Sequence, residues 1–156
     1  MIKDSGERRE FSTGAVRDIQ EGKGRPSLMP LHVVANLLNA RLCGDPVMSS
    51  IAQFTDTGNT HHLYQAMIEF AEMAYGGSVE TMLLEVAIHY EQGCEKYGED
   101  NWKKGIPVNC YLDSAIRHYL KYRRGDKDEF HNRSFVWNVT CCVWEVDYHE
   151  NEHHQD

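Results

Sequence analysis

Apolar positions recur every three to four residues along most of the chain from Leu31 onward, the period of helices with one buried face. LHVVANLLNARL, entered through GKGRPSLMP and its two prolines, reads as the first helix. CGDPVMSS and FTDTGNTHH carry turn residues on either side of a short segment around Ile51 to Phe54. Leu63, Met67, Phe70 and Ala74 then mark one face of a helix that Gly76 and Gly77 break. Ser78 has the chemistry of an N-cap, and Leu83, Val86, Tyr90, Cys94 and Tyr97 continue the spacing through a long helix. Beyond the loop GEDNWKKGIP, with Asn109 placed to cap, Leu112, Ala115, Ile116, Tyr119 and Leu120 form a core stripe while Asp113, Arg117 and Lys121 fall on another face. EFHNRSFVWNVTCCVWEV is apolar nearly all round and belongs at the centre of the core.

Strand patterns are scarce and no internal repeat occurs. The pattern predicts an all-α helical bundle: an irregular polar, Gly-rich arm over 1–30, a single helical domain over 31–147, and a frayed polar tail over 148–156.

Charge and cysteine content narrow the class. With 16 Lys and Arg against 24 Asp and Glu, the net charge of -8 argues against a general nucleic-acid binder. No apolar run is long enough for a membrane span. MIKDSGERREF lacks the apolar stretch of a secretory signal, so the expected location is the cytoplasm. Cys43, Cys94, Cys110, Cys141 and Cys142 are odd in number and form no CxxC pair, which fits reduced thiols serving as small hydrophobes.

Against that acidic background, acids, imidazoles and cations crowd together between His89 and Asn138. Glu91 and Glu95, one helical turn apart, project to the same side; Asp128, His131 and Asn138 share a face of the last helix, with Glu129 beside them. Such oxygen-rich sets suit Mg²⁺ or Mn²⁺ in phosphate chemistry. The plainer alternative is capping by Asp126, Asp128 and Glu129 and ordinary solvation of Glu91 and Glu95. His131 and Asn138 weigh against it, because a polar group left unpaired in an apolar helix costs about 1 to 3 kcal/mol. Lys96, Lys103, Lys104, Arg117, Lys121, Arg123 and Arg124 lie beside these acids, a local excess suited to a polyphosphate. Asp113 with Arg117 also has the spacing of a simple ion pair. Trp102 either stacks on a base or plugs the core. GxxxxGK[ST], GxSxG and a His-Asp dyad are all missing, which excludes P-loop, serine-hydrolase and HD-type phosphohydrolase chemistry.

SGERREFSTGAVRDIQEGKGRPSLMP, HYEQGCEKYGEDNWKKGIP, YLDSAIRHYLKY and GDKDEFHNRSFVWN together resemble the phage and bacterial dATP/dGTP diphosphohydrolases, grouped with the MazG-like all-α nucleotide pyrophosphohydrolases. The resemblance covers roughly 5–30 and 83–145; residues 35–80 look like an insertion. It implies an enzyme that cuts a purine deoxynucleoside triphosphate, dGTP or dATP, to the monophosphate and pyrophosphate with Mg²⁺ or Mn²⁺. The EExxE and ExxD motifs of MazG relatives are not literal here: Ala87 and Ile88 stand near Glu91, and Asp128 and His131 keep only the second motif's spacing. On this reading Glu91 and Asp128 are the leading catalytic metal ligands, with Glu95, Glu129 and His131 supporting and Asp113 in reserve. Lys96, Arg117 and Lys121 meet the phosphates, Arg17, Lys23 and Arg25 of the arm fold over the substrate, and Trp102 is a candidate for the base. The resemblance further implies a homo-oligomer, a dimer or tetramer. A rival from another class is a non-enzymatic acidic helical interaction protein.

Overall fold

The computed structural model describes residues 5–42 and 44–149. Cys43 and the tail beyond residue 149 lie outside the described residues. Six α-helices follow a small hairpin among them: β1 (Arg8–Glu10), β2 (Val16–Asp18), α1 (Leu31–Leu42), α2 (Pro46–Thr57), α3 (His61–Ala74), α4 (Val79–Tyr97), α5 (Val108–Arg124) and α6 (His131–Trp144). The all-α architecture expected from the periodicity is what forms. No described helix is long and apolar enough to cross a membrane.

Local chemistry sets the helix ends. Ser78 caps α4 by accepting from Thr81 N. Asp45 accepts from Met48 N and Pro46 occupies the first turn of α2, so the segment expected to be short is a full helix of 12 residues. Gly125, in the left-handed region at φ 91°, donates its N–H to Lys121 O and Tyr122 O and closes α5. Two expected caps are not made. α5 starts at Val108 behind Pro107, leaving Asn109 inside the helix, and α6 starts at His131 with no side-chain cap, so Asp126 and Glu129 form no capping box.

One hydrophobic core runs through the molecule. α6 supplies Phe135, Val136, Val139 and Val143, packed against Tyr119 and Ile116 of α5 and Phe70 of α3. Phe70 and Phe135 lie 4.6 Å apart between ring centres. Residues 35–80 contribute Val47, Met48, Ile51 and Leu63 to this core, so they form a packed layer. Asp45, fully buried, accepts from the Tyr119 hydroxyl at 2.5 Å and ties α2 to α5.

The N-terminal arm departs from the irregular segment expected. β1 and β2 pair antiparallel with Arg9 opposite Arg17, and Ala15 is fully buried. The Asn101 side chain behaves as a neighbouring strand would: its Oδ1 accepts from Val16 N at 2.9 Å and its Nδ2 donates to Val16 O at 2.8 Å. Thr13 Oγ1 donates to Gly105 O at 2.5 Å. Asp113 accepts from Gln20 Nε2, Arg25 Nε and Ser27 N at 2.9, 3.2 and 2.8 Å. These bonds hold the arm to the bundle from Thr13 to Ser27.

Candidate active site

Docking of the arm creates a cleft of about 650 Å³ between it and α4, α5 and α6. Arg17 and Lys23 enter from the arm, His89, Lys96 and Tyr97 from α4, and Arg117, His118 and Lys121 from α5; Trp137 and Asn138 of α6 complete the wall, with Glu129 at one end. Helical phase explains the selection. His89, Gly93, Lys96 and Tyr97 recur at one turn's spacing, as do Ser114, Arg117, His118 and Lys121.

Glu91 and Glu95 fall on other faces of α4, both exposed and neither lining the cleft. Glu91 stands about 200° around the helix from His89, at 100° per residue. The structure therefore does not bring these two acids to Asp128, Glu129 and His131. It brings His118 instead, which the sequence reading had left out. His118, Glu129 and His131 each offer a ligand atom within 4.8 Å of the others, and so do Asp126, Asp128 and His131. His118 Nδ1 lies 2.9 Å from His131 Nδ1, and His131 Nε2 lies 2.7 Å from Asp128 Oδ1. Two imidazoles and a carboxylate make a donor set that fits a divalent ion. Burial, followed by the neighbouring His131, holds His118 well below its ordinary 6.5, so its ring is uncharged.

The remaining candidates divide. Arg17 Nη2 donates to Asn138 Oδ1 at 3.0 Å while its guanidinium carbon sits 5.1 Å from the Tyr111 ring centre and 5.7 Å from that of Trp137. Its Nη1 is buried without a hydrogen-bond partner. Lys23 pairs with Asp18 at 2.8 Å. Arg117 donates to Gly24 O at 2.5 Å, and burial lowers its pKa. Arg25 is outside the cleft lining, committed to Asp113. Asp113 itself is an anchor for the arm: burial would raise its pKa, but the bonds from Ser27, Arg25 and Gln20 outweigh that and hold it below 3.8. The simple Asp113–Arg117 pair gives way to contacts of both residues with the arm. Trp102 packs against Trp144, 5.0 Å between ring centres, and Tyr90; it plugs the core, and Trp137 is the indole that lines the cleft.

His89, buried beside Trp137, is pushed down to about 4, first by burial and then by cations including Arg133 and Lys96. An unfolded chain takes up this proton near 6.5 while the folded one resists to about 4, so the stabilisation present above that window is lost as the pH falls through it. Denaturation midpoints should fall between those two pH values, and His89→Gln should flatten the slope. Parallel slopes for the two proteins would discharge His89 as its cause.

The sequence profile described as dATP/dGTP diphosphohydrolase, N-terminal, matches residues 79–155. Over this stretch, just under half of the chain, the sequence is similar to that family. The dATP/dGTP diphosphohydrolase match takes in α4, α5 and α6, and with them His89, His118, Glu129, His131 and Asn138. The arm and α1 to α3 lie outside it. No curated protein and no solved structure matches the chain.

Proposed function

We propose that the chain is a metal-dependent hydrolase that cuts dGTP or dATP between the α and β phosphates, giving the deoxynucleoside monophosphate and pyrophosphate. The observation that carries this is the cleft itself: in a protein of net charge -8, Lys23, Lys96, Arg117 and Lys121 line one cavity together with His118 and Glu129. Those cations meet phosphate oxygens and offset the charge that develops on departing pyrophosphate. Arg17 and Asn138 orient the substrate, and Trp137 offers a face to the base. A divalent ion, Mg²⁺ or Mn²⁺, held by His118, Glu129 and His131 would supply Lewis-acid charge to the triphosphate and acidity to the attacking water. Water provides the incoming oxygen, so no covalent enzyme intermediate is needed.

Incubation with each dNTP and Mg²⁺ or Mn²⁺, followed by anion-exchange chromatography, should yield monophosphate and pyrophosphate in equal amounts, with purine substrates preferred. Intact triphosphate, or diphosphate with orthophosphate, would overturn the reaction; no turnover of any dNTP would favour the acidic interaction module. The reading extends to a homo-oligomer, supported by Leu83, Leu84 and Ile88, which stay exposed on α4. Light scattering should report two or four times 18.0 kDa; a monomer at micromolar concentration would refute that extension.

A further inference from the structure

His131 is 2% exposed and held from both sides, an arrangement that fixes more than its position. A carboxylate only accepts, so the 2.7 Å contact with Asp128 makes His131 Nε2 the donor and turns Nδ1 toward His118. Two Nδ1 atoms facing each other at 2.9 Å either share one proton or converge on one electrophile. Two imidazole nitrogens each about 2.1 Å from an ion and at right angles lie roughly 3 Å apart, so little movement separates the two states. Carboxylate-to-histidine contacts of this kind are the usual means by which a ligand ring is oriented and its basicity raised.

The second group, Asp126 with Asp128 and His131, is less suited to an ion. Arg124 already takes both oxygens of Asp126, with Nε to Oδ1 at 2.8 Å and Nη2 to Oδ2 at 2.5 Å. Glu129 lines the cleft beside His118, whereas Asp128 does not line it.

We infer that His118 and His131, with Glu129, form a site selective for a first-row transition ion such as Co²⁺ or Mn²⁺ over Mg²⁺, and that Asp128 is a positioning residue acting through His131. Mg²⁺ prefers oxygen ligands in near-ideal octahedral array, whereas imidazole donors favour the transition series, with affinity rising from Mn²⁺ to Co²⁺. Three protein ligands leave positions open for water and phosphate oxygens. The inference rests on the proposed hydrolase reading for the ion's purpose, though binding of the ion stands apart from turnover.

The test is therefore made without nucleotide. CoCl₂, MnCl₂ and MgCl₂ are titrated into metal-stripped full-length protein, read by calorimetry and by the visible absorption of Co²⁺. The expected result is one site per chain, with Co²⁺ and Mn²⁺ at least tenfold tighter than Mg²⁺. His118→Ala should remove the Co²⁺ band, and Asp128→Asn should weaken binding by about 10- to 100-fold without abolishing it. Asp126→Asn should change nothing. Equal affinity for Mg²⁺, an unchanged Co²⁺ spectrum in a folded His118→Ala variant, or loss of the site in Asp126→Asn would each overturn the inference. Should His118→Ala fail to fold by circular dichroism, Glu129→Gln, at a half-buried position, gives the same reading. Failure of the dNTP assay alongside a normal Co²⁺ titration would strike the proposed reaction and leave the metal site standing.

Discussion

Removal of residues 1–26 is expected to lower kcat/KM for dGTP and dATP by at least about 100-fold, or some 2.7 kcal/mol in barrier, and to lower the melting temperature as well. The sequence reading supports only the kinetic half, because Gly14, Gly22 and Gly24 with so few apolar residues look like a tail that visits the site. Yet Ala15 is fully buried, Asn101 pairs with both polar groups of Val16, and Gln20 and Arg25 are bonded to Asp113. Each such bond is worth about 1 kcal/mol net, partly offset by the entropy of ordering the arm. A net loss of about 2 kcal/mol would lower the midpoint by roughly 4 to 8 °C in a chain of this size. Asn101→Ala separates the two effects, because it loosens β2 while leaving every cation of the cleft in the chain. Steady-state kinetics and calorimetry on both variants decide the matter, and wild-type kcat/KM in the truncated protein would remove the arm from the site.

Arg17→Lys should be nearly as damaging as Arg17→Met, each lowering kcat/KM by about 30- to 100-fold with a melting temperature within a few degrees of wild type. Charge alone is not what the position uses. The guanidinium lies by the rings of Tyr111 and Trp137 while donating to Asn138, and an ammonium lacks both the plane and the fork of donors that this requires. Full activity in Arg17→Lys would reduce Arg17 to one more cation among several.

What the sequence made legible is what periodicity encodes. α3 and α5 follow from their apolar stripes; α4 forms as a helix, but Leu83 and Cys94 of its stripe are exposed while Met82 and His89 are buried. Ser78 is recognisable as a cap because its chemistry acts within one turn. α2 was read as a short segment because Asp45 and Pro46 look like a turn until one sees that they start a helix. The hairpin was invisible for a different reason: strands of three residues give no alternation to detect, and β2 gains its further pairing from the Asn101 side chain, 85 residues away. Contacts across that distance leave no local pattern. At the site, Glu91 and Glu95 drew attention as acids, whereas helical phase singles out His89. His118 carried a signal that could have been used: Ser114, His118 and Lys121 share a face with Arg117 beside it, a polar stripe on a helix whose other side is core.

The bond from Arg17 to Asn138 spans 121 residues. During synthesis at roughly 5 to 20 residues per second, Arg17 is polymerised about 6 to 24 s before its acceptor. α1 to α3 can pair locally in that interval, but the arm has no surface on which to settle until α5 and α6 follow. Activity should thus appear only with the nearly complete chain, and nascent chains stalled before Asn138 should expose the arm to protease while their earlier helices already resist it.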